Sequence, residues 1–338
     1  MLDRQTIEAV EDLVVITRYK SCFFEKDWYT TQVLKTLSQI EDPRFGLVFS
    51  GGTSLSKGYG LIDRFSEDID FKVKEFKDGM TRTDRRQLRM KMAEVIESIP
   101  GLKLINKDRF TRKDGTDFFM AEVGYQPYFP LDGSLRDCIQ VELNFKQPVL
   151  AVQMRSLPSL VNRYANEAPE IPSFACVNLS ETAADKLGAL SWRVLSKEPD
   201  NQDLTDRGYY DPRTIRHLYD LAYLAPQVID DPQWADLSYR TIDLDRGRDK
   251  TGKLNENNPR QLLTGLMEKL SGNKLYAEHY EDFVQSVAYG SSKSFADALD
   301  SLNSLSSKVI EQEAYRGSAI IESNVQTVDL DTDLELGA

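Results

Sequence analysis

The pattern of hydrophobic and polar positions changes near the middle of the chain. Apolar residues recur at three- and four-residue spacing over 4–19, 27–40 and 82–97, which predicts amphipathic helices. Short apolar or alternating runs predict strands over 45–50 and 67–73, with three further strands between residues 101 and 146. The first 150 residues or so are therefore predicted to mix helices and strands around a sheet.

From residue 180 onward only helical spacing can be read. Helices are predicted over 181–196, 212–224, 260–270, 276–289 and 293–313. The polar stretch 226–259 is longer than connections in compact domains usually are, so we expect it to be functional or mobile. The acidic end of the chain predicts a loosely ordered tail. We therefore divide the chain into a mixed core with N-terminal helices over 1–175, a helical domain over 176–315 and a tail over 316–338.

Composition and charge exclude several classes of protein. No apolar run reaches the 18 residues of a membrane span, and the early acids of the N-terminus argue against a signal peptide. Three distant cysteines without metal-like spacing are typical of free thiols in a reducing compartment, so we expect a cytoplasmic protein. The formal charge of −12 argues against general nucleic-acid binding and leaves room for a basic partner protein.

The strongest chemical signal is the stretch SGGTSLSKGYGLIDRFSEDIDFKV, residues 50–73. In a strand, Asp68 and Asp70 project from one face, while Ile69 and Phe71 project from the other. Two carboxylates about 4 Å apart repel each other by roughly 4 kcal/mol at an effective dielectric constant near 20. A hard divalent cation such as Mg²⁺ would compensate that repulsion. A solvated polar face on an edge strand would show the same D-x-D pattern.

Two glycines precede this pair and favour a phosphate-binding turn. Gly51 and Gly52 follow a predicted strand and precede a short helix, where an anion can approach the backbone closely. The amides of Thr53 and Ser54 could then bind phosphate, and Lys57 adds a cation nearby. The spacing differs from the G-x-x-x-x-G-K-[ST] of a Walker A loop. A Gly-Gly turn followed about sixteen residues later by a D-x-D strand is more specific than either feature alone.

This combination resembles the nucleotidyltransferases of the DNA polymerase β superfamily, with their hG[GS] turn and Dh[DE]h strand. It is still more similar to the AbiEii/AbiGii-type toxins of bacterial toxin–antitoxin and phage-defence systems, in which GG[TS]-x-L runs into R-x-S-x-D-x-D. The resemblance implies an α+β fold, in which a polymerase-β-like core with a mixed sheet precedes a helical C-terminal domain that completes the active-site cleft. It also implies an NTP substrate and Mg²⁺ or Mn²⁺ bound by Asp68 and Asp70.

Two later segments fit the same family. In LSETAADKLGALSWR, Lys186 and Arg193 are seven residues apart and return to within about 20° of one helical direction. Surface cations with buried stems would give the same pattern. The resemblance implies that Lys186 meets the triphosphate of the NTP, and Arg193 is assigned to it as well.

In YYDPRTIRHLYDLAYL, Asp211 and Pro212 predict the start of a helix. The resemblance assigns a functional role to Asp220, although an ordinary ion pair with Arg216 four residues earlier is also open. His217 stands where many members of the family have an acid, and we expect it to be exposed.

A third carboxylate on a later strand is implied by the same resemblance. Glu142, in CIQVELNFK, is the best candidate for this metal ligand, and Asp137 and Asp132 remain open as alternatives.

The resemblance implies a nucleotidyltransferase toxin that moves NMP from an NTP to an RNA acceptor, with the tRNA 3′ end as the candidate, and that is restrained by an antitoxin. Transfer to a protein hydroxyl or a small molecule stays open, as does an inactive nucleotide-binding regulatory subunit. Two basic clusters are either RNA contacts or solvated faces: Arg82, Arg85, Arg86, Arg89 and Lys91, and then Arg240, Arg246, Arg248, Lys250 and Lys253.

Overall fold

The computed structural model describes residues 2–76, 79–112, 117–131, 133, 135–197, 213–247, 249, 252, 254 and 257–312. The chain divides into two compact units. The first contains Met1–Asn178 together with Val284–Ser292. The second contains Leu179–Phe283 and the described residues from Lys293 onward. The predicted tail and the predicted helix start at Asp211 and Pro212 lie outside the described residues.

The first unit mixes helices and strands, as the sequence predicts. Its helices are α1 Arg4–Thr17, α2 Ser21–Leu37, α3 Gly51–Lys57, α4 Arg82–Glu97, α5 Lys107–Thr111 and α6 Leu160–Ala165. Its strands are β1 Phe45–Ser50, β2 Asp68–Glu75, β3 Lys103–Leu104, β4 Phe118–Gly124, β5 Cys138–Asn144, β6 Gln153–Leu157 and β7 Ile171–Cys176. The strand predicted over 101–110 is shortened to β3, because Asn106 and the residues after it enter α5. The strands β6 and β7 were not predicted.

Seven strands form one mixed sheet in the order β3-β4-β5-β2-β1-β7-β6. β2 pairs antiparallel with β1 and parallel with β5, so it is an interior strand. Buried apolar side chains of β2, β4 and β5 join those of α2 and α4 in one core. The members of this core on β2 and β5 include Ile69, Phe71, Val141 and Leu143. This burial fixes which face of each strand points inward, and the alternate residues must occupy the opposite face.

A distant segment completes the first unit. The backbone N–H of Phe65 donates to the carbonyl of Val287 at 2.8 Å, and that of Tyr289 donates to the carbonyl of Asp63 at 2.9 Å. Residues 284–292 are thereby hydrogen-bonded to the loop between α3 and β2.

The described part of the second unit is helical. Its elements are α7 Leu179–Trp192, a π-helical turn over Arg193–Lys197, α8 Arg213–Val228, α9 Pro232–Arg246, α10 Pro259–Gly272, α11 Lys274–Val287 and a helix over 295–312. The last four residues of α11 are counted with the first unit. α7 packs against both α8 and α9. Within the described residues, no helix is both long and apolar enough to cross a membrane.

The helix α9 corrects the prediction of a long polar connection over 226–259. Asp231 caps its N-terminus by accepting a hydrogen bond from the N–H of Gln233, and Pro232 occupies the first turn. Only a narrow stripe of the helix is apolar, with Trp234 and Ile242 buried, so its periodicity was weak in the sequence.

Candidate active site

The polar face of β2 carries the two aspartates that the sequence singled out. Asp68 and Asp70 alternate with Ile69 and Phe71, whose side chains are buried in the core. Asp70 lies opposite Ser50 on β1 and Glu142 on β5. The register therefore brings the predicted carboxylates to one face of two neighbouring strands. Since β2 is an interior strand, the alternative of a solvated edge strand is wrong.

The first glycine of the turn is fitted to one of these carboxylates. Gly51 has φ +74°, a left-handed conformation that favours glycine. A Cβ atom added there would lie 1.9 Å from Oδ2 of Asp70. The side chain of Asp70 thus occupies space that any residue other than glycine at position 51 would need.

The next two residues connect the turn to the start of β2. A Cβ atom on Gly52 would lie 2.5 Å from Nη2 of Arg64. The hydroxyl of Thr53 is hydrogen-bonded with that of Ser66 at 3.0 Å and donates to the backbone carbonyl of Asp68. The Gly-Gly-Thr sequence therefore holds the beginning of α3 against the strand that bears the carboxylates.

Two other residues of α3 point into the first unit. The hydroxyl of Ser54 is buried and donates to the carbonyl of Gly51 at 2.9 Å. The buried ammonium of Lys57 lies 2.6 Å from Oδ1 of Asp27 and donates to the hydroxyl of Thr31 at 2.8 Å. These contacts give Lys57 a structural ion pair on α2, and its predicted contact with the nucleotide stays a prediction.

An arginine that the sequence analysis did not select lies against the aspartate pair. Nη1 of Arg136 contacts Oδ1 of Asp68 and lies 3.8 Å from Oε1 of Glu67. Partial burial lowers the pKa of Arg136, but the negative charges of Asp68 and Glu67 outweigh it and raise the pKa overall. Asp68 and Arg136 are neighbours because β2 and β5 run parallel and the arginine lies two residues before β5. Sequence analysis could not select Arg136, because its position beside Asp68 depends on this long-range strand pairing.

The donor chemistry of this face suits a divalent cation. Carboxylate oxygens are the ligands that Mg²⁺ and Mn²⁺ prefer, and the glycine turn accommodates the carboxylate of Asp70. Within the described part of the chain, no group of three His, Cys, Asp or Glu side chains has the arrangement of a metal site. Of the three candidates for a further ligand, Glu142 is the register partner of Asp70, Asp137 is exposed before β5, and Asp132 is not among the described residues.

In the second unit, a buried ion pair joins two predicted site residues. Nζ of Lys186 on α7 lies 2.5 Å from Oδ2 of Asp220 on α8. Both residues are buried, so Lys186 is not a surface cation. Arg193 is half-buried and opens the π-helical turn that follows α7. A cleft shared by Lys186 and the aspartates of β2 stays a prediction.

The structure corrects the prediction that His217 is exposed. Its Nδ1 atom is buried and has no hydrogen-bond partner within the part of the chain that the structure describes. Burial lowers the pKa of His217 well below its ordinary value, and the positive charges of Lys186 and Arg193 lower it further. The reason is that α8 buries residues on several sides, including Leu218 and Tyr219 beside the histidine. The imidazole is therefore neutral at pH 7.

The first basic cluster is largely engaged within the first unit. Arg89 is buried, donates to the carbonyl of Phe110 at 2.8 Å and lies 3.4 Å from the ring centroid of Phe119. Arg89 is thus a core residue, and its assignment to an RNA contact or a solvated face is wrong. Arg86 donates to the carbonyl of Thr111 at 3.1 Å. The remaining pairs are those of Arg85 with Asp117 and of Lys91 with the carbonyl of Glu41.

The second basic cluster is only partly described. Arg240 pairs with Asp236 at 2.9 Å, and Arg246 pairs with Asp243 at 2.7 Å, each within one helix. Arg248, Lys250 and Lys253 lie outside the described residues.

Comparison with known proteins identifies the family to which this chain belongs. Residues 33–301 match the model of a family described as nucleotidyl transferase AbiEii toxin, type IV TA system. The fold is similar to that of MenT4, a nucleotidyltransferase toxin from Mycobacterium tuberculosis H37Rv, with a TM-score of 0.53 and 21% sequence identity over 84% of this chain and 82% of that one. No curated protein sequence matches the chain significantly.

The family match covers most of the chain, including the glycine turn, both strand aspartates, Lys186 and Asp220. It confirms the resemblance seen in residues 50–73 and makes the protein an enzyme that uses an NTP. The match also implies an antitoxin as partner. The chain belongs to the AbiEii family of nucleotidyltransferase toxins of type IV toxin–antitoxin systems.

Proposed function

We propose that this toxin transfers NMP from an NTP to an RNA acceptor, with the 3′ end of tRNA as the first candidate, and releases pyrophosphate. The observation that supports this best is the shared face of β2 and β5, which carries Asp68, Asp70 and Glu142 and places Asp70 against the glycine turn. In the reaction, a hydroxyl oxygen of the acceptor forms a bond to the α-phosphorus while the bond from that phosphorus to the pyrophosphate oxygen breaks.

The carboxylates and the turn have separate roles in this proposal. Asp68, Asp70 and Glu142 would hold Mg²⁺ or Mn²⁺, which when bound supplies charge neutralisation at the α-phosphate and activates the acceptor hydroxyl. Gly51 and Gly52 keep side chains away from the phosphates, so that the backbone amides of this turn and of Thr53 and Ser54 can approach them.

The cations of the second unit would act on the other end of the nucleotide. Lys186 and Arg193 are assigned to the triphosphate, where positive charge stabilises the departing pyrophosphate. Lys186 is already paired with Asp220, so the aspartate would fix the ammonium in position and limit its freedom. Asp220 thus has a positioning role in this proposal.

Labelling separates the candidate acceptors. Wild-type protein and Asp70→Asn are incubated with each labelled NTP, Mg²⁺, and either total tRNA or total protein. Label that enters tRNA with the wild type and not with Asp70→Asn supports RNA transfer. Label in protein instead would replace the RNA acceptor by a protein hydroxyl. No transfer to either pool, with NTP binding retained, would favour a small-molecule acceptor or a regulatory nucleotide-binding role.

Growth tests the biological consequence. Expression of the chain without its antitoxin should stop bacterial growth, and expression of Asp70→Asn at the same level should not. The charge of −12 further suggests that an antitoxin that binds the toxin directly has a basic surface. Association of such a pair would slow as salt increases. Equal growth of both strains, with equal amounts of soluble protein, would contradict toxicity but not nucleotidyl transfer.

A further inference from the structure

A series of ion pairs and hydrogen bonds connects a buried lysine of the first unit to the candidate active site. Nζ of Lys26 on α2 lies 2.6 Å from Oε2 of Glu67 and donates to the carbonyl of Arg136 at 2.7 Å. The backbone N–H of Arg136 donates to the same oxygen of Glu67 at 3.1 Å. Lys26 is completely buried, so it fixes both residues from inside the protein. The guanidinium of Arg136 then contacts Asp68.

The two cations of this series differ in their access to solvent. The side chain of Lys26 is 0% exposed, whereas that of Arg136 is 31% exposed. The backbone of Arg136 is held by Lys26 and Glu67, but its side chain is long and reaches the surface of the site. The guanidinium can therefore leave Asp68 for solvent without any change in the backbone.

The contact occupies one of the two carboxylate oxygens through which Asp68 could bind a divalent ion. Nη1 of Arg136 lies directly against Oδ1 of Asp68, whose side chain is 13% exposed. A guanidinium and a metal ion cannot contact the same oxygen from the same side. The arginine places a positive charge against Asp68, one of two neighbouring aspartates on an interior strand.

We propose that Arg136 is an exchangeable counter-cation of Asp68: it holds the carboxylate in place before a divalent ion binds and leaves it when the ion arrives. This inference rests on the metal-binding role given to Asp68 and Asp70 in the proposed function. Arg136 is then a positioning residue that sets the affinity of the site for the ion, because every ion must displace one positive charge.

Titration of the full chain with Mn²⁺ alone, followed by the electron paramagnetic resonance signal of the free ion, tests the exchange. Arg136→Gln should bind Mn²⁺ about tenfold more tightly than the wild type, which corresponds to about 1.4 kcal/mol. Arg136→Lys keeps the charge and should remain closer to the wild type. The matched control is Arg44→Gln, which removes an arginine paired with Asp42 and Asp84 in the same unit. That variant should bind Mn²⁺ as the wild type does.

The Asp68→Asn background makes the test specific. There the effect of Arg136→Gln on Mn²⁺ affinity should vanish, because the arginine no longer competes for a charged ligand. Without metal, in EDTA, Arg136→Gln should lower Tm in the wild type more than in Asp68→Asn. Unchanged or weaker Mn²⁺ binding by Arg136→Gln, or the same tightening in the Asp68→Asn background, would overturn the exchange.

The result also separates this inference from the proposed function. If Asp70→Asn loses Mn²⁺ binding but Arg136→Gln leaves the Mn²⁺ affinity unchanged, the counter-cation role of Arg136 is wrong and the metal site stands. Mn²⁺ binding by the wild type that is the same in Asp70→Asn removes the metal site, and both proposals fail with it.

Discussion

The candidate residues of the two units are held in opposite ways. On the sheet, Asp68 and Asp70 belong to the polar face of β2, and the side chain of Asp68 keeps some access to solvent beside the partly exposed Arg136. On the helices, Lys186 and Asp220 form a closed ion pair at 2.5 Å, and Asp220 is 0% exposed. The first group is placed by strand register and by a glycine turn, and the second by the packing of α7 on α8.

This difference separates the energetic roles of the two groups. A carboxylate that keeps some access to solvent is available to a ligand, and its replacement by a neutral residue also relieves repulsion from its neighbour. A buried ion pair is costly to break, because removing one partner leaves a desolvated charge in the interior. We therefore expect substitutions on the sheet to act on activity, and substitutions in the helix pair to act first on stability.

Breaking the helix pair should have the largest effect on stability. Lys186→Met or Asp220→Leu alone should lower the free energy of unfolding by about 3–5 kcal/mol, the range found when one partner of a buried pair is removed. Chemical denaturation monitored by circular dichroism measures this change.

The double variant Lys186→Met with Asp220→Leu is the matched control. It removes both charges, so it should recover most of the lost stability while remaining inactive in labelling. If each single variant unfolds with the same midpoint as the wild type, the buried pair does not hold α7 and α8 together, and the contrast between the two units disappears.

Asp70→Asn on the sheet should show the opposite profile. Loss of residues that merely orient a metal ligand costs about 10–100-fold in activity, so loss of a ligand should reduce labelling by more than 100-fold. The free energy of unfolding should stay within about 1 kcal/mol of the wild type, because the change relieves repulsion by Asp68. A variant that loses activity only because it unfolds would show the same Tm loss as Asp220→Leu, and that result would contradict the metal-ligand role.

The sequence could predict Asp68 and Asp70 as site residues because the motif that contains them is local. Residues 45–50 and 82–97 form the strand and the helix that their periodicity predicts, and the Gly-Gly turn and D-x-D strand lie within one short stretch. Arg136 could not be found in this way, since it is 68 residues from Asp68 in sequence and meets it only through the pairing of β5 with β2.

The buried pair of Lys186 and Asp220 shows the same limit of sequence analysis. Lys186 and Asp220 were each selected from a motif, but their pairing across 34 residues depends on how α7 packs on α8. The burial of His217 follows from the same packing. The helix α9 was missed because most of its surface is polar, and its cap at Asp231 is visible only once the helix is known. Local patterns thus predicted elements and motifs, and long-range packing determined which charges meet.

Gly51→Ala should have an intermediate effect on stability and activity, because it both strains the backbone and displaces the side chain of Asp70. The left-handed conformation alone costs an L-residue about 1–2 kcal/mol, and the new Cβ must also push Oδ2 of Asp70 away from 1.9 Å. The control is Gly79→Ala: Gly79 has φ +88°, but a Cβ atom added there would meet no atom within 4 Å. Gly79→Ala should lose only the strain energy and keep full labelling activity, whereas Gly51→Ala should lose activity as well. Equal stability and activity of the two variants would show that the glycine turn does not shape the carboxylate site.

The smallest expected effect concerns His217 and the response of the second unit to acid. Burial holds the pKa of His217 in the folded protein well below the value near 6.5 of an unfolded chain. The unfolded state therefore binds the proton first, and stability that is fully present above pH 6.5 is lost as the pH falls toward the pKa of the folded state, with a slope of at most about 1.4 kcal/mol per pH unit. His217→Gln should reduce this slope between pH 6.5 and pH 5 in urea unfolding. His279→Gln removes the other histidine of the chain, keeps His217 and should retain the slope. If the His217→Gln profile runs parallel to that of the wild type, the imidazole is protonated equally in the folded and unfolded states. The surroundings of His217 on α8 would then be open to water, as those of Asp68 on β2 are.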